Sequence, residues 1–600
     1  MSAADDALAA ARAGATGDEL AAARAGAPGD ELAAARAGAA DDILAAARTW
    51  AGGDPDDGTR AQLEATIAAA EHGDAEAVAE VTDAFRGRLQ FGTAGLRGAL
   101  GPGPNRMNRV VVQQASAGLA AFLVGREPHP SVVIGWDGRR GSERFARDAA
   151  EVFAGAGVRA ILLPRLLPTP VLAFAVRHLG ASGGVMVTAS HNPPGDNGYK
   201  VYLGGDDEGS QIVPPVDGEI AALIERAAGT PVAEYPRGEP EVAGEGVWQA
   251  YVTATAAIGQ ADQGMPGAAG PRVVYTPLHG VGLETVEAVL AEAGFPPVIP
   301  VPEQAEPDGA FPTVDFPNPE EPGALDLAMA LATAEGAELI IANDPDADRL
   351  AVAVPDESAA AGWRMLTGNE VGLLLGWDAA RSARGHGVLA ASIVSSPGLG
   401  AIAEAHGMEF VQTLTGFKWV SRVPGLVYGY EEALGYLVNP GTVRDKDGIS
   451  ALVRVLTLAS ELHERGSSLS EELLALAGEF GAFESGQVSV RVTDLARIPA
   501  IMAALRAEPP TELAGSRVLA ADDLALPEHG AIGDILRFSL DDGSRVMVRP
   551  SGTEPKVKVY IDATSAEGPP AQRVRSARER VAALADAVRP LLEASTPREG

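Results

Sequence analysis

No cysteine occurs among the 600 residues. Disulfide staples and thiol nucleophiles are excluded, and a cytoplasmic location is the simplest expectation. Lysine is scarce as well: only Lys200, Lys418, Lys446, Lys556 and Lys558 occur, against 42 arginines among 47 basic residues. Positive charge is short overall, with a formal net charge of −34. That argues against a nucleic-acid or acidic-membrane partner, because both need a broad basic face. No uninterrupted apolar run approaches the roughly 20 residues of a membrane-crossing helix. The opening MSAADDALAA carries acid where an export signal carries basic charge before its apolar stretch. There is no Gly-Lys dipeptide, so no Walker-type nucleotide loop, and no G-x-S-x-G elbow, so little support for an ordinary serine hydrolase.

What is present is a globular composition, 46% hydrophobic and 21% charged, in a chain long enough for several hydrophobic cores. The first 48 residues repeat with a period of twelve, Asp6, Asp18, Asp30 and Asp42 each opening a unit and Arg12, Arg24, Arg36 and Arg48 sitting at matching places. Alanine favours helix there, but a glycine in every unit and little bulk to bury argue against a long stable helix. Residues 1–40 are therefore expected to form a mobile, low-complexity extension. From Trp50 onward, short β-branched runs alternate with alanine- and leucine-rich helical patterns, as in SVVIGWD followed by SERFARDAAEVFAGAG. This is the rhythm of α/β units, which bind ligands at the carboxyl ends of their parallel strands. The last hundred residues differ: VMVRPSGTEPKVKVYI and the helical run after it predict a smaller α+β unit.

Four loops carry chemistry. In TASHNPPGDNGYKVY, Ser190 directly follows the apolar run Val185–Val187 and precedes His191 and a Pro193-Pro194-Gly195 turn, a place where a nucleophile is held out into a cleft. In NDPDADR, Asp344, Asp346 and Asp348 alternate, so an extended loop can aim all three at one hard cation, magnesium or calcium rather than zinc. An EF-hand is excluded, since its sixth position would be Arg349 and its twelfth Pro355. YGYEEALGY offers Glu431 and Glu432 as acceptors for sugar hydroxyls. RPSGTEPKVKVY gathers Arg549, Ser551, the Gly552 backbone, Thr553 and Lys556 into a phosphate cradle.

Taken together, and in this order, the four segments resemble the signature loops of the phosphohexomutase superfamily, which includes phosphoglucomutases and phosphomannomutases. FGTAGLRG, residues 91 to 98, resembles that family's active-site arginine segment, and TGFKW, residues 415 to 419, resembles a ligand-contacting loop of its third domain. The wording is most similar to the phosphoglucomutase-2 and phosphopentomutase-like branch. The resemblance implies an α/β fold of four domains around a central cleft, three related α/β domains and a C-terminal α+β lid. The expected boundaries are 41–235, 236–360, 361–480 and 481–600. It implies a mutase that acts through a phosphorylated Ser190, with Arg97, His191, Lys200 and Arg349 supplying cations and proton transfer. Lys200 is the first choice as general base and His191 the second. It further implies Mg2+ on Ser190, Asp344, Asp346 and Asp348, sugar contacts from Lys418 and Glu431, and a distal phosphate on Arg549, Ser551, Gly552, Thr553 and Lys556. Priming by glucose 1,6-bisphosphate, small sugar phosphates as ligands and glucose as preferred sugar follow from the same likeness. Phosphopentomutase as the main activity and a non-catalytic sugar-phosphate-binding relative are the alternatives. Ala433 stands where the family often has a serine, which bears on the choice of sugar.

Overall fold

The computed structural model describes residues 29–93, 95–260, 270–491, 497–527, 533–550 and 556–594. Four sheets follow one another along the chain. The first runs in the order Leu96–Ala99, Asp196–Leu203, Gly183–Val187, Ser131–Trp136, Arg159–Leu162, Glu241–Val242. Its strands from Gly183–Val187 to Glu241–Val242 pair in parallel, and Asp196–Leu203 returns antiparallel to Gly183–Val187. Parallel strands are covered on both faces, which explains why Val132, Val133, Ile134, Val185 and Met186 are all fully buried. Because Glu241–Val242 joins this sheet, the first unit reaches past the expected boundary at residue 235.

The second sheet has the order Trp363–Met365, Leu350–Pro355, Leu339–Asn343, Val273–Thr276, Ile299–Pro300. The third has Glu409–Thr413, Val388–Ser392, Leu426–Glu431, Gly435–Leu437. All three sheets repeat one device: an apolar parallel strand runs out at its carboxyl end into a loop, and the chain returns as an antiparallel neighbour. In the first sheet that loop holds Ser190, in the second the three aspartates, and in the third Glu432 and Ala433 just beyond Glu431. The fourth sheet is antiparallel, with Arg545–Pro550 paired to Lys556–Ser565 and the helix Pro570–Ala594 packed on it. One apolar cluster runs from Val133 through Tyr251 and Ile341 to Tyr430 and Leu476, joining the first three units, whereas the fourth keeps its own core around Val557, Val559 and Leu584. No helix among the described residues is long and apolar enough to cross a membrane.

The amino-terminal repeats fall only partly within the described residues. Residues 1–28 lie outside the described ones, but Gly29–Gly53 is one continuous helix with Gly38 inside it. It is followed by the helices Asp57–Glu71 and Ala75–Phe85. Ala47, Ala51, Leu63, Ile67 and Val81 form a small core with Trp50 and Phe85, whose rings meet edge to face at 6.1 Å. This burial supports the carboxyl half of the helix, from Ile43 to Ala51.

Candidate active site and metal centre

Ser190 follows the strand Gly183–Val187 and is 2% exposed. Its backbone is left-handed, φ 52°, a conformation that a residue with a β-carbon adopts only when its surroundings fix it. The fixing group is Arg139, a residue the sequence reading did not single out. Its Nη2 donates to the carbonyls of Ser190 and Asn192 at 2.6 and 2.5 Å, and its Nη1 to those of Pro193 and Asp196 at 2.9 and 3.2 Å. Behind it lie Asp137 at 3.6 Å and the face of Phe311, 4.9 Å from the guanidinium carbon. The Ser190 amide donates to Thr188 Oγ1 at 2.9 Å.

That hydroxyl donates to Asp344 Oδ2 at 2.8 Å and lies 3.3 Å from His191 Nδ1. Asp344, Asp346 and Asp348 are wholly buried, and each offers an oxygen within 4.8 Å of the others. Burial, with Asp346 and Asp348 close by, raises the Asp344 carboxyl far above its ordinary range. Burial pushes Asp346 and Asp348 the same way, and Asp348 adds to this for Asp346, yet Lys200 holds both below the ordinary range, joined at Asp348 by Lys446 and Arg349. Lys200 Nζ donates to Asp346 Oδ2 at 2.7 Å and Asp348 Oδ2 at 2.8 Å, and these carboxylates raise its own pKa against the opposing effect of burial. Lys446 adds a second ammonium 3.1 Å from Asp348 Oδ2. Arg349 closes the loop, its amide donating to Asp344 Oδ1 at 3.0 Å and its Nη1 to the Ala433 carbonyl at 2.6 Å.

Among the described residues, Asp346 Oδ1 and Asp348 Oδ1 are buried oxygens with no hydrogen-bond partner. Two orphaned carboxylate oxygens beside a third crowded carboxyl fit a hard divalent cation, which would satisfy all three. The donor set is oxygen only, as magnesium prefers.

Arg97 and His191 adjoin this centre through the serine loop, and Lys418, Glu431, Arg549 and Lys556 lie on the third and fourth units. Arg97 Nη1 donates to Asn192 Oδ1 at 3.2 Å, tying the 91–98 segment to the serine loop. His191 is pushed well below the usual histidine range by burial and by Arg349 and Arg97, so its ring is neutral. Lys418 Nζ bonds Thr93 Oγ1, bringing the third unit onto the first. Glu431 Oε1 accepts the Gly416 amide at 2.6 Å, and burial and Glu432 raise its pKa. Glu432 instead turns to Ser392 and Ser395, whose hydroxyls donate to Oε2 at 3.1 and 3.2 Å. Arg549 and Lys556 sit at the facing ends of the hairpin strands Arg545–Pro550 and Lys556–Ser565. Ser551, Gly552 and Thr553 lie outside the described residues.

Sequence reasoning missed Arg139, Asp137 and Thr169 and assigned no role to Lys446. A signal existed for the first three. Asp137 and Arg139 follow the parallel strand Ser131–Trp136, and Thr169 opens the helix that comes after the parallel strand Arg159–Leu162, so both sets lie beyond carboxyl ends of strands.

Four consecutive family models match the chain: phosphoglucomutase/phosphomannomutase α/β/α domain I at residues 88–230, domain II at 249–357, domain III at 367–480 and the C-terminal domain at 488–584. A Haemophilus influenzae protein named "Probable phosphomannomutase" is 52% identical over 78% of this chain and 95% of its own length. The phosphopentomutase of Homo sapiens is 35% identical over 84% of this chain and 90% of its own. A crystal structure of a phosphoglucomutase/phosphomannomutase family protein from Burkholderia thailandensis shares the fold, with a TM-score of 0.64 at 20% identity over 85% of this chain and 98% of that one.

Proposed function

Because the chain belongs to the phosphoglucomutase/phosphomannomutase family, we propose that it moves a phosphoryl group between the two ends of a sugar phosphate through a phosphorylated Ser190. The preferred pair is glucose 1-phosphate and glucose 6-phosphate, and mannose or a pentose 1-/5-phosphate has compatible chemistry. The observation that carries this reading is the 2.8 Å contact between Ser190 Oγ and Asp344 Oδ2, which sets a nucleophile against three buried carboxylates and a rim of cations. Asp344, Asp346 and Asp348 would hold Mg2+ beside the Ser190 oxygen, where the ion supplies charge neutralisation for the transferring phosphoryl group.

In the first half-reaction the bond between phosphorus and Ser190 Oγ breaks while the distal sugar hydroxyl oxygen bonds to phosphorus. The proton lost by that hydroxyl ends on Ser190 Oγ, and the second half-reaction reverses both changes with the other phosphate of the bisphosphorylated sugar. Support for His191 rather than Lys200 as the proton carrier comes from their surroundings. Lys200 is kept an ammonium by two carboxylates, whereas His191 is neutral and 3.3 Å from the serine oxygen. This reverses the preference drawn from sequence and leaves Lys200 an electrostatic role. Arg97 and Arg349 face the transferring group. Lys418 and Glu431 bind the sugar, and Arg549, Ser551, Gly552, Thr553 and Lys556 hold the phosphate that is not in transit. The C-terminal unit closes over the cleft so that the bisphosphate turns around without escaping. A sugar bisphosphate such as glucose 1,6-bisphosphate primes the serine.

A pentose reading is favoured by the relatives named phosphopentomutase and "Probable phosphoribomutase", which are 35% and 36% identical to this chain. Purified protein with magnesium, glucose 1-phosphate and a trace of glucose 1,6-bisphosphate is expected to yield glucose 6-phosphate. Steady release of inorganic phosphate would indicate a phosphatase instead, and no change a binding protein. The same assay with mannose 1-phosphate and ribose 1-phosphate, compared as kcat/KM, ranks the substrates.

A further inference from the structure

The aspartate trio belongs to the second unit, yet the first unit grips one of its members. Thr169 opens the helix Thr169–His178 and is fully buried. Its Oγ1 donates to Asp346 Oδ2 at 2.6 Å, and its backbone amide donates to the Asp346 carbonyl at 2.9 Å. Flanking prolines at 168 and 170 restrict the backbone on both sides, so the threonine is a stiff anchor. Lys200 Nζ reaches the same Oδ2 at 2.7 Å. With two donors on Oδ2, the carboxylate leaves Oδ1 buried and unpartnered.

Lys200 alone cannot fix this orientation, because its ammonium also serves Asp348 Oδ2 at 2.8 Å and sits on a flexible stem. The two contacts of Thr169 clamp both ends of Asp346, main chain and side chain, and so settle which oxygen faces the cation position. We propose that Thr169 is a positioning residue for the metal centre: it orients Asp346 Oδ1 toward the cation, and because it comes from the neighbouring unit, it makes cation affinity depend on docking of the serine-loop unit against the metal-loop unit. This inference rests on reading the aspartate trio as a metal site. Groups that orient a metal ligand are worth about 10–100-fold in affinity.

The test is a titration of the full-length protein with Mn2+ alone, without substrate, followed by calorimetry and by the electron paramagnetic resonance of free Mn2+. Thr169→Val replaces the hydroxyl by a methyl and is expected to weaken Mn2+ binding about tenfold, and Thr169→Ser to bind like wild type. Should Thr169→Val fail to fold, Thr169→Ala removes the hydroxyl without adding a methyl contact and is read the same way. Melting in the presence of a chelator separates the roles: a lower melting temperature with an unchanged dissociation constant means that Thr169 only supports the fold, and overturns the inference. A serine variant as weak as the valine one overturns it too. Wild-type protein that binds no Mn2+ overturns the metal centre itself and this inference with it, whereas wild-type binding shared by the hydroxyl-free variants overturns the inference alone.

Discussion

Replacing Arg139 by lysine probes how the serine loop is held. The guanidinium spreads its donors: Nη2 serves the Ser190 and Asn192 carbonyls, and Nη1 those of Pro193 and Asp196. A lysine keeps the charge beside Asp137 but brings its donors from one nitrogen, so it satisfies one pair of carbonyls and strands the other. Stranding a buried acceptor costs about 1–3 kcal/mol, and for two carbonyls that can partly relax the loss is about 3 kcal/mol. Ser190 spends this energy directly, because its left-handed φ of 52° persists only while the loop is tied down. If the loop relaxes, its productive geometry becomes a minor state, and about 3 kcal/mol corresponds to a loss of roughly a hundredfold in turnover. The assay is kcat and KM for glucose 1-phosphate at saturating bisphosphate, alongside thermal melting. Arg139→Met is expected to destabilise the protein more, by about 3–5 kcal/mol, since Asp137 is then a buried charge without its partner. Combining it with Asp137→Asn is expected to recover stability but not turnover. Turnover of Arg139→Lys within about threefold of wild type, less than 1 kcal/mol of barrier, would refute the reasoning.

Gly280→Ala places a β-carbon 2.4 Å from both Cα and O of Pro345, inside the metal loop. Something must shift, at a cost of about 1–3 kcal/mol, so the variant is expected to melt lower and bind Mn2+ more weakly than wild type, checked by melting with and without the ion. Asp447 caps the helix Gly448–Glu464, and burial raises its carboxyl from 3.8 to about 6. The folded state then holds the proton more tightly than the unfolded one, so this group's stabilisation is greatest at low pH and is lost as pH rises from about 4 to 6. Asp447→Asn cannot ionise, and its stability relative to wild type should climb across that window by up to about 3 kcal/mol and level off above it. Denaturation of both proteins over that pH range checks this, and a flat difference contradicts it. Ser190→Ala is expected to lose at least about a thousandfold in rate, on the order of 4 kcal/mol of barrier, with magnesium-dependent stabilisation retained.

The candidate site was legible wherever a polar cluster directly follows an apolar strand. Ser190 after GGVMVTA and the aspartates after ELIIAN announce themselves within a few residues, because a parallel strand that ends at a ligand must switch abruptly from buried to functional. The residues that brace the cluster gave no such local sign. Thr169 and Asp346 are 177 positions apart, and Arg139 and Ser190 are 51 apart, so each pair exists only once the sheets are assembled. Lys200 was recognised, but its ties to Asp346 and Asp348 were not, because Lys200, on strand Asp196–Leu203, lies 146 and 148 positions from them in the chain. The small core that Ile43, Leu44 and Trp50 form with the next two helices was not legible either, since those contacts are tertiary.

The central claim is that a phosphoryl group rests on and leaves from Ser190 Oγ. Intact-protein mass and peptide mapping after incubation with glucose 1,6-bisphosphate and magnesium test it most directly. One added phosphoryl group is expected, mapped to the peptide containing Ser190, removed by glucose 1-phosphate as the bisphosphate appears, and absent from Ser190→Ala. Full mutase turnover with Ser190 never modified would contradict it.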